Sequence, residues 1–480
     1  MERALGHAGP VEQFGEAQAA GRCGDAFKNL DAARQRLDAG GGMAFPIGLP
    51  ILRRHRQLGL AHHPLPYRRP APCCQSHKLE LSSMSSRREA RHTPGGAMRI
   101  TRVDHWLVRM PFTEDILWGS GRRIGTTRLV CRIETDAGIS GWGETISLIA
   151  NVPAVFADIV APLAIEYPVS DVERLHRHVL GAGFYHHKRA AVMAIAALEM
   201  AMWDALGKKA GQPLHALWGG KWRKDVEAAA YLFTNEPAGL TERIKGFLDK
   251  GYETFKVKIG FDERTDIALA EAARNTIGDR ALRLDVNGAW TPGTAKRQLE
   301  KLAAFDPAYV EQPLELDDLA GHAALVARSS VPIALDESAY TLADVGNIIR
   351  AGAADVVLLD PHEAGGLWQT IKAAAICEAV GIPVTLHSGA ELALSQSAYI
   401  QLAASIPNLS LAIDTERAYL GGDISPNPPV LQHGRFAIPE GPGLGVEVDV
   451  EALERHRVDG IAGAYLDTSR KDWFPIKPAY

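Results

Sequence analysis

Seven ionisable residues recur in this chain at nearly constant intervals, each at the end of a short apolar run. They are Lys258 in TFKVKIG, Asp285 in LRLDVNGAW, Glu311 in AYVEQPL, Asp336 in PIALDES, Asp360 in DVVLLDP, His387 in PVTLHSG and Asp414 in LSLAIDTE. The steps between them are 27, 26, 25, 24, 27 and 27 residues. Asp285, Glu311 and Asp336 are three carboxylates aimed at one point, an arrangement that repels itself unless a cation sits between them. Oxygen donors without Cys or His favour Mg²⁺, with Mn²⁺ as the alternative, over Zn²⁺, and Mg²⁺ leaves coordination positions for a substrate oxygen. Lys256 and Lys258 are two apart, so they share one face of their strand while Phe255, Val257 and Ile259 point the other way. For Lys258 to act as a base, its pKa must fall by roughly 3 units, about 4 kcal/mol, which Lys256, the metal and desolvation can supply together. Asp360 and His387 end consecutive runs, where an Asp can orient a His and stabilise its imidazolium. Glu391 and Asp414 are further supports for this ring.

Each apolar run is β-branched and followed by a helix-like segment, so it reads as a buried parallel strand with its return helix. Repeated from VEAAAYLF to LSLAIDTE, the unit makes an α/β protein, a (β/α)7β TIM-like barrel spanning 223–435. In such a barrel the strand C-termini converge on one mouth, where polar residues read as catalytic.

The motifs KVK, LDVNGAW, VEQP and LDES, with MAIAALEMAMWDALGKKAGQPLHALWGG before them and EGPGLGVEV after, resemble the enolase superfamily, specifically its mandelate racemase and muconate lactonizing branch. The resemblance covers Met98 to about Val448. It implies that Lys258 is the base and Lys256 its tuner, and that a His–Asp pair stands at His387 and Asp360. In some relatives the third metal ligand is one position later, so Glu337 competes with Asp336; the LDES wording favours Asp336, on the expectation that only one of the two can face the barrel axis. The shared chemistry is abstraction of a proton α to a carboxylate, which the general account of this superfamily describes as a Lys or His base working with Mg²⁺ on an enediolate. LLDPHEAGGLWQ and LHSGAELALSQ resemble cis-3-hydroxy-L-proline dehydratases, so dehydration of a β-hydroxy acid leads, with sugar-acid dehydration, cycloisomerisation and amino-acid or hydroxy-acid racemisation as alternatives. A barrel that only binds small acids is the non-enzyme alternative, disfavoured because three mutually repelling carboxylates serve no purpose without metal.

The resemblance also implies an α+β capping domain over the mouth, at 98–222 and completed by about 436–480. Its strand MRITRVDHWLV and the hairpin RLVCRIET/ISGWGET should flank a polar loop, Phe112 to Thr126, that closes over substrate and brings Trp118, Arg122 and Arg123 as contacts. Lys188 to Lys209 has the three- and four-residue apolar spacing of an inward-packing helix, its methionines read as core filler. Glu199 stands where the family usually has Asp. GPGLG at 441–445 neither follows a strand nor opens a helix, so it is no dinucleotide loop. Residues 1–97 mix Arg, Pro, His and Ser without apolar period and read as a non-globular leader or a misassigned start, Met98 or Met84 being alternative starts.

The 480 residues are 46% hydrophobic and 23% charged, with a net charge of −5, which gives no reason to expect nucleic acid or an anionic membrane as partner. Five scattered cysteines suggest no disulfide framework and fit a reducing, cytoplasmic setting, and the adjacent Cys73 and Cys74 lack the separation a zinc site needs. The expected partner is a small-molecule carboxylate, and a homo-oligomer is expected.

Overall fold

The computed structural model describes residues 96–119, 121–148, 150–181, 188–461 and 479–480. The expected leader and its cysteines lie almost entirely outside these.

Three antiparallel strands open the described chain: β1 (Ile100–Trp118), β2 (Gly121–Thr135) and β3 (Ser140–Ile146). Helices Asn151–Ala164, Val172–Gly181 and Lys188–Ala210 pack on this sheet around a core that includes Ile100, Leu129, Phe156, Leu175 and Leu198. Lys188–Ala210 is apolar and long enough to cross a membrane, but 83% of its most apolar window is buried inside the protein, so it is the core helix of the cap.

The loop expected at 112–126 is a ladder instead. β1 runs on to Trp118, and Ile116, Leu117 and Trp118 pair with Arg123, Arg122 and Gly121 after a register shift between Pro111 and Ile116. The extra residues on β1 are absorbed as a bulge, so a polar stretch without clean alternation still pairs. The tip of this arm rests on the barrel: a Cβ on Gly119 would lie 2.3 Å from the carbonyl oxygen of Gly260, two residues beyond Lys258.

The barrel follows. After β4 (Asp225–Glu227), seven parallel strands pair in chain order: β5 (Ala230–Leu232), β6 (Thr254–Lys258), β7 (Ala281–Asp285), β8 (Tyr309–Glu311), β9 (Ile333–Leu335), β10 (Val356–Leu359) and β11 (Val384–Leu386). Registers such as Lys258↔Asp285 and Asp285↔Glu311 set the charged residues side by side. The ring closes through Ile413 and Asp414, whose amides donate to Glu227 and Leu386 on either side at 2.8 and 3.0 Å. The chain then returns to the cap by way of β12 (Leu431–Gln432) and β13 (Arg435–Ala437), with helix Val450–Arg455 followed by hydrogen bonds of His456 and Val458 to β1.

Two fastenings join cap to barrel. Glu199 accepts the N–H groups of Leu367 and Trp368, at 2.7 and 2.9 Å, and so caps the barrel helix Leu367–Glu378. GPGLG is a clasp: Asp204 of the cap helix takes the amide of Leu444 at 2.9 Å, and Gly443, at φ 67°, sits where a Cβ would strike that carboxylate.

Candidate active site

At the centre of the mouth the strand ends converge on Lys256, whose ammonium is fully buried. It lies 2.6 Å from Glu311 Oε1, 2.6 Å from Asp414 Oδ2 and 3.1 Å from Asp285 Oδ2. Desolvation is the largest single influence and would lower its pKa, but Asp414 and Glu311 outweigh it and hold Lys256 well above the usual lysine range. Lys256 is therefore a fixed positive charge. Lys258, two residues on, donates to Asp285 Oδ2 at 2.6 Å and Asn287 Oδ1 at 2.8 Å, and its side chain lines a cavity. Asn287 takes a left-handed backbone, φ 49°, which brings its amide back over the strand end.

The carboxylates divide by environment. Burial would raise Asp285, but Lys258 and Lys256 override it and hold the carboxyl well below its ordinary value. Glu311 goes the other way, pushed well up by burial and by Asp285. Asp336 and Glu337 both line the cavity, contrary to the expectation that only one could. β9 ends at Leu335, so strict alternation no longer applies to the two residues that follow. Asn287 Nδ2 donates to Glu337 Oε1 at 2.7 Å, and burial followed by Asp336 raises the Glu337 pKa to about 7.

These residues fit a hard cation. Glu311 Oε2 and Glu337 Oε2 are buried with no hydrogen-bond partner. Ligand atoms of Glu311, Asp336 and His387 lie within 4.8 Å of one another. Two orphaned carboxyl oxygens on glutamates whose pKa values are raised are what a site built for added positive charge presents.

His387 lines the same cavity, but the sequence mis-paired it. Its Nδ1 lies 2.9 Å from Asp336 Oδ2, and Asp336 raises its pKa well above the usual value although burial opposes this. Asp360 instead turns toward its own helix: Oδ1 accepts the His362 amide at 2.8 Å and the Tyr399 hydroxyl at 2.5 Å, and lies 3.1 Å from His362 Nδ1. An Asp at the N-cap of a short helix is drawn to the backbone two residues on, a local partner that strand spacing does not reveal. Behind it, Arg128 of β2 reaches Glu144 at 2.7 Å, Gly389 O at 2.9 Å and His362 Nε2 at 3.0 Å, tying the cap to the loop after β11. A guanidinium donates only, so His362 accepts at Nε2 and carries its proton on Nδ1.

The cavity has a volume of about 360 Å³, a size suited to a small molecule. Of the expected substrate contacts Trp118 and Arg123 line it, whereas Arg122, Glu391 and Asp414 do not. Arg122 is excluded because neighbours on a strand face opposite ways and it is Arg123 that points in. Arg123 is held bidentately by Glu416 at 2.7 and 2.8 Å. Glu391 is buried on Ser388 and the Gly389 amide, both at 2.6 Å, and Asp414 lies beneath Lys256, so both brace the site from behind. Of the methionines on helix Lys188–Ala210, Met200 and Met202 are core, as expected, while Met193 faces the cavity. Sequence reasoning missed Tyr340, Glu363 and Glu416, which also line it. Tyr340 and Glu416 sit in loops beyond strand ends and Glu363 on the short helix Pro361–Ala364; the sole signal was Glu416 lying two residues from Asp414.

Comparison with known proteins now decides the family. A profile described as "Enolase C-terminal domain-like" matches residues 239–453, and one described as "Mandelate racemase / muconate lactonizing enzyme, N-terminal domain" matches 118–219. The chain belongs to the mandelate racemase and muconate lactonizing enzyme family of the enolase superfamily. It is 31% identical to a Streptomyces coelicolor protein named "Probable glucarate dehydratase", over 68% of this chain and 84% of that one. It is 32% identical to an N-succinylamino acid racemase from Amycolatopsis, over 74% and 97%. The crystal structure of muconate lactonizing enzyme from Pseudomonas fluorescens, complexed with muconolactone, superposes with a TM-score of 0.71 at 28% identity, covering 76% of this chain and all of that one. The protein is an enzyme of this superfamily, whose members generally use Mg²⁺.

Proposed function

We propose that the protein removes the proton α to a substrate carboxylate with the help of Mg²⁺ and then expels a β-hydroxyl as water, cis-3-hydroxy-L-proline being the substrate the sequence resemblance favours. Asp285 and Glu311, with Asp336 and Glu337 beside them, would hold the ion, which when bound supplies positive charge against the enediolate. Lys258 takes the proton. Lys256, fixed in its charged state among three carboxylates, lowers the cost of that charge build-up. His387, whose raised pKa keeps its proton, assists departure of the hydroxyl; Asp336 orients it, with Asp360 behind. The supporting observation is that Lys258 and His387, from the second and seventh staves, line one cavity with Asp336 and Glu337 between them.

A racemase would use the same two groups, one on each face of the α-carbon, so products must discriminate. Incubated with substrate in D₂O, His387→Asn should still wash deuterium into the α-position while Lys258→Ala should not. Either change should cost about 10² to 10⁴ in turnover, the usual worth of a positioned acid or base. Exchange lost in His387→Asn and kept in Lys258→Ala would reverse the roles. Interconversion of α-epimers without loss of water would place the enzyme among the racemases.

A further inference from the structure

Two features of the cavity are unused by the chemistry above. The first is Glu363, which opens on the cavity beside Tyr340. Burial first, and then the neighbouring acids Asp360 and Asp336, push its pKa well up, against smaller contributions from His387 and a hydrogen bond from Tyr340. Among the described residues no lysine or arginine forms an ion pair with it, whereas the cavity's other outlying carboxylate, Glu416, is fully occupied by Arg123. The second is an apolar part of the wall, to which Ile146, Leu148, Val152 and Met193 of the cap and Phe233 of the barrel contribute.

Any hydroxyl of a polyhydroxylated acid laid against that apolar part would lack a partner, at a cost of about 1–3 kcal/mol each. A second carboxylate would need a cation, and Arg123 is already neutralised. A substrate with a hydrocarbon body and one positive charge matches both features, since the charge pairs with the uncompensated acid and the carbon frame replaces water on the wall.

We infer that Glu363, assisted by Tyr340, is a specificity-determining residue that pairs with a protonated amine on the substrate, making the substrate class a compact β-hydroxy amino acid with a free amine and not a sugar acid. This rests on the dehydration reading but is separable from it.

The test compares three probes on the full chain with Mg²⁺: cis-3-hydroxy-L-proline, its N-acetyl derivative, and glucarate, with α-proton exchange and water loss as readouts. The wild type should favour the free amine, and the ratio of kcat/KM for free amine over N-acetyl substrate should fall about 10²-fold in Glu363→Gln, the usual effect of removing one partner of a buried charge pair. Tyr340→Phe should lower that ratio less. Preference of the wild type for glucarate or the N-acetyl compound, which needs no folded variant to observe, overturns the assignment while leaving the α-proton chemistry standing. An unchanged ratio in a folded Glu363→Gln also overturns it. Exchange with none of the three overturns this assignment and the dehydration reading together.

Discussion

Lys256 organises the floor of the site, and its three carboxylate partners do not contribute alike. Asp285 and Glu311 also stand where a metal would be held, so Asp285→Asn or Glu311→Gln removes a charge that both cations use. Each should weaken Mg²⁺ binding by about 10²-fold or more in titration calorimetry while circular dichroism stays native. A variant that bound Mg²⁺ as tightly as wild type would remove that residue from the ligand set. Why these residues were readable from sequence is physical: Lys258, Asp285 and Glu311 close successive strands, where side-chain direction follows a period of two and the barrel repeats the strand every 24 to 27 residues. Past the strand end that rule lapses. Asp336 and Glu337 can then both face inward, His387 can turn to Asp336 instead of Asp360, and Glu363 and Tyr340 carry no periodic signal at all.

The element that most departs from expectation is the hairpin arm of β1 and β2. Its composition reads as a loop because the charged and glycine residues interrupt alternation, yet backbone pairing needs no particular side chain, and the tip gains tertiary support from the Gly260 carbonyl. Trp118 and Arg123, both on the cavity wall, ride on this arm. A methyl group at Gly119 would collide with backbone that cannot yield cheaply, lifting the tip and with it those two side chains. Gly119→Ala should therefore lower kcat/KM by roughly tenfold, since displacements of about 1 Å cost up to 10²-fold, while the melting temperature barely moves because the tip lies outside the cap's core. Unaltered kcat/KM would mean that the docked tip does not matter to the working enzyme.

At the scale of the molecule, cap and barrel meet around Gly365 and Gly366, and two ionisable groups of the cap press on those glycines with opposite electrostatic consequences. A Cβ on Gly365 would lie 2.7 Å from His176 Nε2, and one on Gly366 would lie 2.4 Å from the Glu199 carboxyl carbon. Burial lowers the His176 pKa from 6.5 to about 4, with Glu173 opposing and Lys372 and Arg177 assisting. Burial raises Glu199 from 4.5 to about 7, although the Trp368 and Leu367 amides, the Trp203 indole and Lys372 resist. The folded-state pKa of His176 lies below its unfolded value, so its contribution is complete above pH 6.5 and is lost as pH falls toward 4. Glu199 runs the other way, costing stability as pH rises from 4.5 to 7. Each shift of about 2.5 units corresponds to at most about 3.4 kcal/mol, so between pH 4.5 and 6.5 the two nearly cancel. Removing one should expose the other. The melting temperature of His176→Gln should rise on acidification from pH 7 to 4.5 relative to wild type, and that of Glu199→Gln should fall, whatever each substitution does to stability at a single pH. Parallel pH profiles for wild type and both variants would show that these groups do not control how cap and barrel hold together.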